Sequence, residues 1–251
     1  MHRARTLPSA AVDAVLFDWG DTLFHFAYDE ALLEAGWEAG LAATGRQDLP
    51  APAETASRFR ERYLPLLFAP GTVEEVEYPG LVRDVLGEFG ASLTDAELLR
   101  FLAAEHEAWA PAREMGAQSH AMLDSLRRRD LKTGLVSNAF DPPSLLHEDL
   151  RRMGLAERLD TAVFSSEVGK RKPHPLIFEV ALQRLDVAPE RTVFVGDSLT
   201  ADIAGAKALG MTAVQALWFR ADDAEDAVEP DYRAFTPMDV LNVVRRLLGE
   251  T

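Results

Sequence analysis

A handful of residues spread along the chain have types and settings suited to phosphoryl chemistry. Asp18 closes an apolar run, Ala14-Val15-Leu16-Phe17, that reads as a buried strand. Its carboxylate therefore stands at the carboxyl end of a strand, where open α/β sheets keep their reactive groups. Thr22, with Gly20 close by, marks a tight exit turn. A strand-like Lys132-Thr133-Gly134-Leu135-Val136 leads into Ser137-Asn138, and Val163 to Gly169 leads to Lys172-Pro173-His174-Pro175. Val193-Phe194-Val195-Gly196-Asp197 is followed five residues later by Asp202. Phosphate monoesters resist attack because both partners are negative. Their cleavage calls for a positioned nucleophile, cations around the phosphoryl oxygens and a proton donor for the leaving oxygen. Asp18 is the candidate nucleophile. Asp197 at a strand end and Asp202 in the first turn of the next helix can converge with it on one hard cation, for which magnesium is the expected choice. Without a metal, three converging acids would repel one another. Lysine occurs only at 132, 170, 172 and 207, and only Lys172 has the Lys-Pro-x-Pro context. Ser137 can offer its hydroxyl and nearby amides to the phosphate.

These residues need a frame that brings strand ends together. From about Ser119 onward, helical and short β-like segments alternate: helix to Arg129, strand to Ser137, helix Pro143 to Met153, strand Ala162 to Ser165, helix Pro175 to Leu185, strand Thr192 to Val195, helix to Leu209 and strand Thr212 to Leu217. Such alternation implies parallel βαβ units. From Tyr28 to about Met115 the apolar spacing is helical, strand signals are nearly absent, and Pro50, Pro52, Pro70-Gly71 and Pro79-Gly80 divide the block into separate helices. The expected fold class is α/β: a Rossmann-like parallel sheet core with helices on both faces and an inserted α-helical cap. The core is assigned to residues 1–26 and 116–251 and the cap to 27–115. Only about 35 residues separate Ser137 from Lys172, too few for a second inserted domain. Met238 to Leu248 reads as an amphipathic helix closing the sheet, and the acidic run Ala221 to Asp226 as a solvated loop. No internal repeat is found.

With 26 basic against 41 acidic residues the net charge is −15, which disfavours nucleic acid and anionic membrane surfaces as partners. A small phosphorylated substrate must then meet locally arranged positive charge. The absence of cysteine excludes a disulfide framework and a thiol nucleophile and fits a cytoplasmic setting. His2, Arg3 and Arg5 precede an apolar stretch that Asp13 interrupts, so this part reads as a tail entering the first strand. No window approaches the roughly 18 apolar residues of a membrane span, and a soluble monomer or homodimer is expected.

The order of these four elements, covering most of residues 11 to 215, resembles the haloacid dehalogenase superfamily, whose phosphatases begin with a strand ending in Asp-x-Asp-Gly-Thr. The resemblance implies a hydrolase in which Asp18 forms an aspartyl-phosphate. It further implies that Thr22, Ser137, Asn138 and Lys172 hold the phosphate, and that the backbone carbonyl of Gly20 joins Asp18, Asp197 and Asp202 around magnesium. The chain departs from the pattern where the second Asp should stand. Gly20 occupies that position and Asp21 the usual glycine position. The metal site is spared, but the carboxyl group that protonates the leaving group is missing, and Asp21 or His25 is the nearby replacement. Activity is then expected to be weak or substrate-restricted. A non-catalytic phosphate-binding protein on the same fold is the alternative, as is a metal-free 2-haloacid dehalogenase, against which the Asp197 and Asp202 pair argues. A phosphonoacetaldehyde-type hydrolase resembles a chemistry that needs a cap lysine, and no lysine precedes Lys132. Arg58, Arg60 and Arg62 read as a solvated helix face, since alternate helical positions do not share a side.

Overall fold

The computed structural model describes residues 12–67, 71–219 and 228–250. The tail at 2–5 and the acidic run at 221–226 lie outside the described residues. The frame is a six-stranded sheet in the order β5-β4-β1-β6-β7-β8, with every neighbouring pair parallel. Its strands are β1 (Ala14–Phe17), β4 (Lys132–Ser137), β5 (Thr161–Phe164), β6 (Thr192–Gly196), β7 (Thr212–Ala216) and β8 (Tyr232–Ala234), and β2 and β3 belong to a separate ribbon. Both faces of β1 are buried. Val15 and Phe17 join an apolar cluster with Leu123, Leu150 and Val244, while Ala14 and Leu16 join another with Ile177, Phe178 and Ile203. Side chains alternate between the faces of a strand, so a sheet covered on both sides needs the unbroken apolar runs seen in the sequence.

Helices cover the two faces. Those of the core are α6 (Ser119–Arg127), α7 (Pro143–Arg152), α8 (Ser165–Val168), α9 (Pro175–Leu185), α10 (Ala204–Ala208) and α11 (Pro237–Leu248). Proline opens α7, α9 and α11, where its fixed φ suits the first turn and its missing N–H costs nothing. Between β1 and α6 the chain builds α1 (Glu30–Ala43), α2 (Pro52–Arg62), α3 (Leu64–Leu67), α4 (Tyr78–Glu88) and α5 (Asp95–Ala108). Their apolar faces enclose a third cluster centred on Trp37, Phe59, Phe101, Val82 and Leu86.

The helical insertion is carried on a two-stranded antiparallel ribbon, β2 (Phe24–Phe26) with β3 (Arg113–Met115). Two strands of three residues are too short to leave a periodic signal, which is why β3 escapes a reading of 28–115 as helical. The short β8 and α8 are likewise invisible in the sequence pattern. The segment read as one helix to Leu209 is split: a π-helical turn, Leu199–Ile203, carries Asp202 and passes into α10. Among the described residues, no helix is long and apolar enough to cross a membrane.

Candidate active site

Strand register brings the reactive positions together. Phe17 stands level with Leu135 of β4 and Val195 of β6, so Asp18, Ser137 and Asp197 leave three adjacent strands at one edge of the sheet. The Asp18 N–H donates to the Val195 carbonyl at 2.9 Å, extending the ladder to the residue that carries the carboxylate. A cavity of about 430 Å³ opens between this edge and the helical insertion. Asp18, Gly20, Ser137, Asn138, Lys172, Asp197 and Asp202 all line it. Thr22 does not: it is fully buried, its N–H turning back to the Trp19 carbonyl at 3.3 Å and its own carbonyl accepting from Trp218 Nε1 at 2.8 Å.

Lys172 is buried, with Nζ 2.5 Å from Asp18 Oδ1 and 2.7 Å from Asp202 Oδ1. Burial works against its charge, but Asp18 and Asp202 outweigh burial and hold its pKa above the usual lysine value. Asp18 is pushed up to about 6, chiefly by burial, with Asp202 adding repulsion and Lys172 opposing both. One lysine thus faces two carboxylates, and a third is near. Single carboxylate oxygens of Asp18, Asp197 and Asp202 lie within 4.8 Å of one another. This set of hard oxygen donors fits a divalent cation.

Local geometry explains how the residues are held. Gly196 ends β6 because a Cβ there would come 2.4 Å from the Asp202 carboxyl carbon. Asp202 is therefore packed directly against the strand end, and the Ser198 N–H donates to its Oδ2 at 3.0 Å. The Asn138 amide is committed to the backbone of Lys172: its Oδ1 accepts from the Lys172 N–H at 2.7 Å and its Nδ2 donates to the Lys172 carbonyl at 3.3 Å. Asn138, expected as a phosphate ligand, is placed to position the lysine.

The model of the haloacid dehalogenase-like hydrolase family matches residues 12–210. The chain belongs to this family. The hydrolase is 31% identical over 226 residues to a phosphoserine phosphatase of Thermus thermophilus, covering 88% of this chain and 76% of that protein. Over 128 residues it is 38% identical to a glyceraldehyde 3-phosphate phosphatase of Methanopyrus kandleri, in an alignment that spans 50% of this chain and only 54% of that relative. The structure of a HAD phosphatase from Thermococcus onnurineus superposes with a TM-score of 0.62 at 25% identity, covering 95% of this chain and 98% of the other.

In this hydrolase the turn after Asp18 is built on Asp21. Asp21 takes the left-handed conformation with φ 55°, one of the few non-glycine residues that tolerates it. Its Oδ1 accepts from the Phe26 N–H at 3.2 Å and lies 2.9 Å from His25 Nδ1. His25 in turn stacks on Phe219 with ring centroids 5.4 Å apart. Both groups are thereby occupied in the turn and the ribbon. Gly20 is bare by choice of residue and not for lack of room, since a Cβ would meet only Phe24 Cζ at 3.8 Å.

The far wall carries a polar cluster that sequence reasoning missed. His106 of α5 reaches across to the core, with Nδ1 3.1 Å from Asp141 and Nε2 2.9 Å from Asp149. Arg113 lies 2.9 Å from the same Asp149 oxygen and donates to the His106 carbonyl at 3.2 Å. Burial disfavours the imidazolium, but the two aspartates dominate and raise His106 to about 9. Glu105 accepts from the Tyr78 hydroxyl at 2.6 Å and is raised to about 7, first by burial and then by Asp141. No spacing rule links positions 105–113 with 141–149, so only the closed fold reveals the group. Arg58 and Arg62 pair with Glu88 and Arg60 with Glu30 on the outer surface, away from the cavity lining.

Proposed function

We propose that this hydrolase is a magnesium-dependent phosphatase for a small phosphorylated metabolite, working through a phosphoryl-aspartate on Asp18. The observation that carries the reading is the meeting of Asp18, Lys172, Asp202 and Asp197 in one cavity. The phosphatases among its relatives support the reaction class.

Asp18 attacks phosphorus, the bond from phosphorus to the leaving oxygen breaks, and its electron pair departs on that oxygen. Water then cleaves the acyl phosphate, releasing inorganic phosphate and restoring the carboxylate. Lys172 offsets the negative charge that the substrate brings to a pocket of acids. Ser137 offers its hydroxyl to a phosphoryl oxygen, and Asn138 keeps the lysine in place. Asp18, Asp197, Asp202 and the Gly20 carbonyl would hold magnesium, which when bound supplies further positive charge to the phosphoryl oxygens. The helices of residues 27–115 act as the cap that excludes water and selects the substrate.

The absence of a carboxyl group at Gly20 favours a second reading, a chain that keeps the pocket and binds a phosphate ligand without turnover. Phosphate release from a panel of monoesters, with magnesium and with chelator, beside Asp18→Asn, separates the two. Release that needs both the metal and Asp18 supports the phosphatase. Binding without release supports the second reading, and full phosphate release in chelator overturns the magnesium assignment.

A further inference from the structure

Beyond the phosphate end, the cavity wall combines aromatic rings with Leu33, Leu64, Leu67 and Leu146. Trp109 ends α5 and stacks near-parallel with Phe26, centroids 6.0 Å apart, and with Tyr28 at 5.9 Å. From the core side Phe140 packs on Tyr78 at 4.9 Å. All of these line the same cavity as Asp18. Phe26, Trp109 and Phe140 are only partly buried.

The charges in the lining are already matched. Its cations among the described residues are Lys172, His106 and Arg113. Lys172 faces Asp18 and Asp202, His106 faces Asp141 and Asp149, and Arg113 faces Asp149. A carboxylate or second phosphate on the substrate would meet no uncommitted cation and would lie close to Glu105, Asp141 and Asp149. Anionic recognition is therefore confined to the phosphate end.

We propose that the cavity selects phosphate monoesters whose leaving group carries an uncharged aromatic ring, with Trp109 as the residue that determines this specificity. The inference rests on the phosphatase reading and names its substrate class. An aromatic pair contributes about 0.5–1.5 kcal/mol beyond area burial, so together with burial of the ring the preference is on the order of tenfold.

The test must separate ring recognition from leaving-group acidity, which benzyl and butyl phosphate do because their alcohols are similarly weak acids. With magnesium, kcat/KM for benzyl phosphate is expected to exceed that for butyl phosphate by about tenfold. Trp109→Ala should bring the ratio to near one, and Trp109→Phe should restore most of it, which shows that the ring and not the fold is at stake. Calorimetric Kd values of Asp18→Asn for the same two monoesters read the preference without turnover. Equal kcat/KM, or a ratio that survives Trp109→Ala, overturns the inference and leaves the phosphatase reading standing. A ring preference in Kd with no hydrolysis of either ester supports the pocket and overturns the hydrolytic reading. Failure of Asp18→Asn to bind either ester overturns both.

Discussion

Gly20 stands where the phosphatase pattern Asp-x-Asp-Gly-Thr has its second Asp, and the expected consequence is kinetic. A positioned general acid contributes on the order of 10² to 10⁴ in rate, about 3 to 5 kcal/mol of barrier. Asp21 is engaged by His25 and the Phe26 amide, so under the proposed chemistry turnover of a leaving-group series is expected to depend steeply on acidity. Gly20→Asp with Asp21→Gly puts a carboxyl-bearing side chain where a Cβ meets only Phe24 Cζ and a glycine where φ is positive. Hydrolysis of alkyl phosphates should rise by roughly 10² or more and that of aryl phosphates much less; parallel gains on both would show that another group already serves as the acid. Asp197→Asn tests the metal site. It should weaken magnesium binding in a calorimetric titration at least tenfold, about 1.4 kcal/mol, and lower turnover with it.

Connections between elements set how accurately these groups are held. The loop after β4 is tied to the loop before α9 by the paired hydrogen bonds of Asn138 with the Lys172 backbone. Asn138→Ala removes both and is expected to cost about 1–2 kcal/mol of stability. It should also lower kcat/KM by roughly tenfold as Lys172 loses its fixed place, whereas Asn138→Asp, which keeps the acceptor, should recover part of the loss. At the end of β6, Gly196→Ala places a methyl group against the Asp202 carboxyl. Overpacking of this kind costs about 1–3 kcal/mol, and here the magnesium titration should weaken together with the thermal midpoint. A variant that melts like the parent and binds magnesium normally would contradict that packing account.

Across the whole molecule, the helical insertion is tied to the sheet-bearing part by the ion network of His106 and Arg113 with Asp141 and Asp149, next to Glu105 and Tyr78. The folded protein holds the His106 proton up to about pH 9, against an ordinary value of 6.5. A raised folded pKa means that the folded state binds more protons, so this stabilisation is complete below about pH 6.5 and is lost as pH rises through 9. Glu105, raised from 4.5 to about 7, contributes in the same direction at lower pH, since its ionisation is disfavoured in the folded state. The thermal midpoint should therefore fall between pH 6.5 and 9 by an amount equivalent to about 1–3 kcal/mol. His106→Asn should flatten that part of the profile; an unchanged slope would remove His106 from the account.

Residue type and order in the chain were enough to reveal the parallel sheet and to pick out residues that meet at one end of the cavity. Buried parallel strands need long apolar runs, and the groups at their carboxyl ends follow each run directly, as Asp18, Ser137 and Asp197 do. The inserted helices were legible for a related reason, since helical spacing and proline breaks are local features. What could not be read there depends on which distant segments meet. The ribbon of β2 and β3 joins residues about ninety apart in runs too short to show a period. The commitment of Asn138 to Lys172, of Asp21 to His25, and of His106 to Asp141 and Asp149 arises from side-chain directions that local propensity does not encode. The cavity's rings were individually visible as apolar residues, but their shared wall exists only once α5 and the loop after β4 are folded toward each other. Local patterns specify elements because backbone sterics act over a few residues, whereas charge pairing and cavity walls depend on tertiary contacts between segments far apart in the chain.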